Sequence, residues 1–391
     1  MNKRVLILST SAGTGHVRAA QALEKEFLRD PRVGRVIHED ALKFTNKLFR
    51  EFYSTLYMKL VRSAPDVLGW VYKASDEPWK GEAARVQLDR LNTQKLVKFI
   101  REFEPDITVC THFMPAGIIS HLLEAGELQT HHSIVVTDFD CHAMWLSRMF
   151  HRYFVALDET KAHLDALGLP AERITVSGIP IDPIFAEPVD RAAVRKALGL
   201  NPEKTTLLLS AGALGVGPTA LIVERLKLLR FDAQTIVICG KSAEVRTQVE
   251  AAVAGDRRFG VLGYTDRMHE LMGASDLFIG KPGGLTTSEA LACGLPLAVF
   301  SPIPGQEERN ADHLLEEGAG IRCNELTTLP FKIDRVLSDP GRLAAMQGAA
   351  RKMGRPHAAR TVVQTLLDDH LPPLSLAPEQ REAITQAAAR E

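Results

Sequence analysis

The 391-residue chain encodes an α/β protein with two doubly wound parallel-sheet domains, on three grounds. Short apolar runs alternate with helical stretches, the alternation restarts after a proline-rich break at residues 178–188, and each half carries a glycine-rich turn directly after a strand. The length accommodates two domains of roughly 150–200 residues.

In order, "VLIL" (residues 5–8) reads as a buried strand, and the stretch from His16 to Asp30 reads as the helix after it. "RVIHED", "DITVCTH", "HSIVVTD", "RYFVAL" and "ITVSG" supply the remaining strands of the first half, with helices at "PAGIISHLLEAG" and "ETKAHLDALG". "GIPIDPIFAEP" is the expected hinge. The second half repeats the pattern with "TTLLLSAG", "TIVICG", "FGVLGY", "LFIGKPGG" and "LPLAVFS". These boundaries give an N-terminal domain over 1–186, a C-terminal domain over 187–370 and a weakly attached tail over 371–391. The helical "AARTVVQTLLDDHL" closes the second domain or crosses back to the first.

Forty-seven basic residues balance 48 acidic ones, so no global charge draws the chain to nucleic acid. Cys110, Cys141, Cys239, Cys293 and Cys323 form no C-x-x-C pair and read as reduced, small apolar residues of a cytoplasmic protein. The apolar run behind Lys3 and Arg4 is too short for a signal peptide, and no stretch is long enough to span a bilayer. Any membrane contact is therefore expected at the surface.

Gly13 and Gly15 sit where a helix N-terminus points its free N–H groups at a ligand. With Glu39 and Asp40 roughly 20 residues further on, the turn imitates a dinucleotide fingerprint. Arg18 occupies the third glycine position, and His16 crowds the pyrophosphate path, so that reading is set aside.

The richest stretch is residues 281–320. Gly283 and Gly284 let backbone approach a ligand, Thr286 and Thr287 open a helix whose first amides suit a diphosphate, and Glu289 lies within reach of a ribose diol. Thr286-x-x-Glu289 equally fits a capping box, with Gly294 and Pro296 as helix-stop residues. Gln306, Glu307 and Asn310, after the next strand, suit a row of sugar hydroxyls and favour the ligand reading.

Taken in order, "SAGTGH", "THFMPA", "VVTDFDCHAMW", "VSGIPIDPIF", "KPGGLTTSEALACGLPL" and "PIPGQEERNA" resemble the glycosyltransferase family of the monogalactosyldiacylglycerol synthases and processive diacylglycerol glucosyltransferases. The peptidoglycan N-acetylglucosaminyltransferase is a more distant member. The resemblance implies a GT-B fold, two Rossmann-like domains facing a central cleft, with a UDP-sugar held mainly by the second. It implies Glu289 on the ribose, amides around Gly283, Gly284, Thr286 and Thr287 on the diphosphate, and Gln306 and Glu307 on the sugar, supported by Asn310. "LGYTDRM" matches the base-binding loop, with backbone at Thr265 reading uracil and Tyr264 packing near the ring. Gly212 and Gly215 would close over the phosphates, or form a simple tight turn.

In such proteins the first domain takes the acceptor, and the Gly13/Gly15 turn faces the anomeric carbon. Direct displacement inverts configuration and needs a base near the acceptor oxygen. His16 suits that work, since an imidazole is largely neutral at pH 7 and a helix N-terminus lowers its pKa. Headgroup binding and simple helix capping are its other readings. Asp138 is the rival, as base or as the group orienting a histidine, while His112, His142 and Trp145 are candidate acceptor-pocket residues. Asp138-Phe139-Asp140 imitates a metal-binding D-x-D, yet it follows a first-domain strand, away from the inferred diphosphate. No metal and no cofactor is therefore expected.

Residues 41–81 concentrate aromatic residues, among them Phe49, Phe52, Tyr57 and Trp70. From 43 to 62, five basic residues stand against the single acid Glu51. This is the make-up of a helix lying on an anionic membrane surface, although a core-facing helix explains the apolar arc as well. The expected activity is hexose transfer, galactose or glucose, from a UDP-sugar to diacylglycerol or a related lipid. The alternatives are another amphipathic acceptor, a nucleotide-sugar epimerase of the same fold, or a non-catalytic lipid-binding protein.

Overall fold

A computed structural model describes residues 2–11, 13–46, 65–210, 212 and 217–390. Phe49, Phe52, Tyr57 and Gly215 lie outside the described residues. The chain forms two units, residues 1–182 with 357–391, and residues 183–356.

The first unit is built on β1 (Lys3–Ser9), α1 (Gly15–Phe27), β2 (Val33–Asp40), α2 (Pro65–Ala74), α3 (Glu82–Asn92), α4 (Gln94–Phe103) and β3 (Ile107–Cys110). It continues through α5 (Phe113–Glu124), β4 (His131–Val135), β5 (Met149–Phe150), β6 (Arg152–Val155), α6 (Asp158–Ala166) and β7 (Ile174–Val176). Six strands pair in parallel in the order β2-β1-β3-β4-β6-β7. Val5 to Leu8 are fully buried because helices cover both faces, as a parallel sheet requires. Leu6 and Leu8 join one core, and Val5 and Ile7 join the other.

The second unit runs α7 (Arg191–Ala197), β8 (Thr206–Ser210), α8 (Thr219–Leu226), β9 (Gln234–Ile238), α9 (Ala243–Val253), β10 (Phe259–Leu262), α10 (Met268–Gly273), β11 (Leu277–Gly280) and α11 (Gly284–Ala292). After these come β12 (Leu297–Val299), α12 (Gln306–Glu316), β13 (Gly320–Arg322), α13 (Leu329–Leu337) and α14 (Pro340–Met353). Its sheet is parallel in the order β10-β9-β8-β11-β12-β13. In both sheets β-strand order reverses beside the first strand of the unit, where open α/β sheets take ligands.

The C-terminal part corrects the expected boundaries. α15 (Ala358–Asp368) returns to the first unit and packs Val362, Val363 and Leu366 with Leu23 and Phe27 of α1. Each such burial contributes about 1.5–3 kcal/mol. Residues 371–391 are no loose tail: β14 (Leu374–Ser375) pairs antiparallel with β5, and α16 (Pro378–Ala388) buries Ile384. Arg173 donates to the Pro372 carbonyl at 2.6 Å, and Trp79 Nε1 donates to the Arg381 carbonyl at 3.2 Å. The first unit thus ends at Asp182 and resumes at His357, rather than spanning 1–186.

Candidate active site

In the first unit, candidate groups gather at the C-terminal ends of β1, β3 and β4. Gly13 has φ +100°, a conformation that favours glycine, and it lets the chain turn from β1 into α1. Thr14, the cap of α1, makes no side-chain capping bond, and the first turn carries no acidic residue. The helix N-terminus that begins at Gly15 therefore has no side-chain cap from Thr14, and the fully buried Thr10 hydroxyl has no hydrogen-bond partner among the described residues. Asp40, the candidate ribose acid of the dinucleotide reading, instead accepts from the Leu42 and Ser11 amides at 3.0 and 3.2 Å.

His16 is held from two neighbouring strands. Its Nδ1 lies 3.1 Å from the Thr111 carbonyl after β3 and 2.7 Å from Thr137 Oγ1 after β4. Thr111 also donates its hydroxyl to the His16 carbonyl at 2.9 Å. A carbonyl only accepts, so Nδ1 carries the proton and Nε2 presents its lone pair. Burial pulls the His16 pKa down to about 4, against the opposing Thr111 carbonyl. The direction is the one expected, but desolvation, the larger effect, is its cause.

His112 meets the His16 ring edge-on, with centroids 4.7 Å apart. It caps α5, its Nδ1 accepting from the Met114 amide at 3.1 Å. Burial first, then His16 and Arg85, hold its pKa well below the usual range. Trp145 is buried, with its ring 6.4 Å from His16 and 6.3 Å from His112. It walls the histidine pair. His142 is spent on structure: Nδ1 accepts from the Met144 amide, and Nε2 donates to the Tyr72 carbonyl at 2.9 Å. Both nitrogens are taken, so any part it plays at the acceptor is through its ring face. Asp138 is buried one residue beyond Thr137.

Sequence reasoning missed Thr111 and Thr137, whose only signal was a threonine at the ends of two strands flanking the Gly-x-Gly-His turn. It also missed Arg85, whose guanidinium lies 5.5 Å from the Phe113 ring centroid, with Nη1 buried and without a hydrogen-bond partner among the described residues.

In the second unit, β11 leads through Lys281-Pro282-Gly283-Gly284 into α11. Gly283 is the cap, with no side-chain capping bond and no acid in the first turn. The helix starts at Gly284, two residues before the expected start at Thr286, because the glycines adopt the turn and threonine is not needed there. Thr286 is thus inside the helix and not its cap, which removes the capping-box reading, and Glu289 lies on the second turn and not the first. Glu289 is 4% exposed, and the Thr287 hydroxyl is buried without a hydrogen-bond partner among the described residues.

The second cluster closes on this turn. Asn310 Nδ2 donates to the Pro282 carbonyl at 3.0 Å, and Glu307 accepts from the Ile303 amide at 2.7 Å. Burial raises the Glu307 pKa, while the Ile303 amide and Lys281 oppose it. A Cβ at Gly283 would stand 3.6 Å from Glu307 Oε1, so the carboxylate lies over the helix start. Gln306 is the first residue of α12. Tyr264 is 54% exposed under the Lys241 ammonium, 4.9 Å from its ring centroid, and Thr265 accepts from the Arg267 amide at 3.0 Å. Gly212 has φ +73° and donates its amide to Ser210 Oγ at 3.2 Å.

On α2, Trp70 is 71% exposed beside exposed Val67 and Val71, an apolar stripe at helical spacing. No described helix is long and apolar enough to cross a membrane.

Residues 16–181 match the family model for monogalactosyldiacylglycerol synthase, and residues 210–383 match the glycosyltransferase family 28 C-terminal domain. The processive diacylglycerol beta-glucosyltransferase of Bacillus pumilus is 28% identical over 368 residues, 94% of this chain and 95% of that protein. Among solved structures, Acinetobacter baumannii MurG is similar with TM-score 0.59 at 16% identity, over 94% of this chain and 100% of that one. The UDP-GlcNAc 2-epimerase of Neisseria meningitidis, bound to UDP-GlcNAc, is similar with TM-score 0.60 at 12% identity, with the same coverage.

Proposed function

The chain belongs to glycosyltransferase family 28, with the monogalactosyldiacylglycerol synthases and processive diacylglycerol glucosyltransferases, and from that premise we infer that it transfers hexose from a UDP-sugar to diacylglycerol or a related lipid, with inversion. The observation that carries this reading is the start of α11. Two glycines, a helix N-terminus without a side-chain cap and a buried Thr287 hydroxyl with no partner among the described residues suit a diphosphate, with the buried Glu289 and with Glu307 nearby. Glu289 takes the ribose diol, Gln306 and Glu307 take the sugar, and the Tyr264–Thr265 loop takes uracil.

In the reaction so read, the acceptor hydroxyl attacks the anomeric carbon, and the bond from that carbon to the diphosphate oxygen breaks. His16 Nε2 receives the hydroxyl proton. The departing UDP keeps the bonding pair, its charge balanced by the α11 amides and Lys281. The scheme draws on no metal ion. The exposed Val67, Trp70 and Val71 stripe rests on an anionic membrane surface. The five cysteines remain unpaired, which supports work at the cytoplasmic face.

A panel of UDP-sugars, incubated with and without vesicles containing diacylglycerol, tests the reading. UDP release and glycolipid formation only with lipid support it. Sugar interconversion without lipid would make the protein an epimerase instead.

A further inference from the structure

We propose that Thr137 is a positioning residue that, together with the Thr111 carbonyl, locks His16 in the Nδ1–H tautomer and leaves Nε2 as the proton acceptor. The proposal rests on reading His16 as the base.

A neutral imidazole offers two tautomers, and only the one protonated at Nδ1 presents a lone pair at Nε2. Two oxygens converge on Nδ1: the Thr111 carbonyl at 3.1 Å and Thr137 Oγ1 at 2.7 Å. If Thr137 donated to an unprotonated Nδ1, the Thr111 carbonyl would lose its N–H partner and face a nitrogen lone pair at 3.1 Å, whereas Nδ1–H satisfies both oxygens. The carbonyl thereby fixes Thr137 as a second acceptor for the same N–H. Thr137 is 4% exposed, so water does not replace it cheaply.

The grip is rigid because it comes from the sheet itself. Thr111 and Thr137 follow β3 and β4, which are paired neighbours beside β1. Thr111 also returns a hydroxyl to the His16 carbonyl, so it holds both ring and backbone.

Both orienting groups are uncharged. A carboxylate in the place of Thr137 would stabilise the imidazolium and favour a ring that arrives already protonated. A carbonyl and a hydroxyl direct the proton to Nδ1 without that bias. The ring stays neutral in its half-buried setting, and Nε2 has no hydrogen-bond partner among the described residues. This distinguishes Thr137 from the carboxylate of Asp138, for which the sequence left open the roles of base and of orienting group.

The test uses the full chain labelled with ¹⁵N-histidine, with the His16 ring signals identified by their loss in His16→Gln. Two-bond ¹H–¹⁵N correlations at neutral pH should show Nδ1–H in the parent. Thr137→Val leaves Nδ1–H only the Thr111 carbonyl, so it should raise the Nε2–H share above the parent's without making it the main form, and lower kcat about 3- to 10-fold, the worth of one hydrogen bond. KM for the UDP-sugar should hold, and Thr137→Ser should restore both tautomer and kcat. Thr137→Ala, which adds no methyl to the site, reads the same way if the valine variant folds poorly. An unchanged tautomer with unchanged kcat in these variants overturns the proposal. A changed tautomer with unchanged kcat upholds Thr137 as the positioning group and instead refutes His16 as the base.

Discussion

Asn310 Nδ2 donates to the Pro282 carbonyl at 3.0 Å, tying the first turns of α12 to the glycine turn that opens α11. Asn310 is 1% exposed, so its loss leaves that carbonyl without this donor in a buried setting. Asn310→Ala should destabilise the protein by about 1–3 kcal/mol, the cost of an unmet buried polar group. If α12 holds the sugar and the start of α11 the diphosphate, the variant should also weaken UDP-sugar binding more than UDP binding. Thermal melts with and without each ligand measure both effects, and equal losses for the two ligands would count against a sugar-side role for α12.

Glu289 is buried on the second turn of α11, and a capping-box role is excluded because the helix starts at Gly284 with Gly283 as its cap. Glu289→Ala should weaken UDP binding by about 1.5–3 kcal/mol, the value of a hydrogen bond to a charged group. Calorimetric titration of a variant whose circular dichroism matches the parent decides this. Unchanged affinity would remove Glu289 from the ribose.

Trp70 stands 71% exposed on α2, so replacing it by serine removes no core contact. Co-sedimentation of Trp70→Ser with anionic vesicles should fall while its melting temperature and UDP affinity hold. Added salt should weaken the parent's attachment through screening of nearby basic residues.

Much of the fold was legible in the chain because its cause is local. "VLIL" reads as a strand buried on both faces, and the glycines at 13, 15, 283 and 284 mark strand-to-helix turns. What was not legible depends on distant partners. The periodicity of Val362, Val363 and Leu366 announces a buried face, but that the face belongs on Phe27 is a tertiary fact. Likewise, the contact of Thr137 with His16 was not legible, because sequence shows which side chains can orient a histidine and not which ones reach it. Thr286 and Glu289 have capping-box spacing, yet the two preceding glycines move the helix start and dissolve the motif.

His132 is fully buried, and backbone contacts at Thr108 and Ala116 only partly offset the cost of charging its ring. Burial, aided by His151 and His131, lowers its pKa to about 3, and His151 is likewise held at about 4. An unfolded histidine takes a proton at about 6.5, whereas these do so only near 3–4 when folded. Between those limits the unfolded chain binds more protons, so stability must fall as pH drops from about 6.5 and stay level above neutrality. His132→Leu should therefore raise the melting temperature more at pH 5 than at pH 8. An equal shift at both values would mean that protonation of His132 does not drive the acid loss.

Activity should respond to acid in a different window from stability. If His16 Nε2 receives the acceptor proton, His16→Ala should lower kcat by about 10²- to 10⁴-fold, the usual size of a general-base contribution, with UDP affinity nearly unchanged. Because burial holds the His16 pKa at about 4, its ring stays neutral well below the ordinary histidine range. The initial rate under saturating donor should thus stay level as pH falls through about 6.5 and decline only toward 4. Short assays separate this limb from the slower loss of folded protein. Asp138→Asn sharpens the comparison: if His16 is the base, this variant retains more activity than His16→Ala and the same acid limb. A limb centred on 6.5, or a larger loss at Asp138 than at His16, would move the base away from the imidazole.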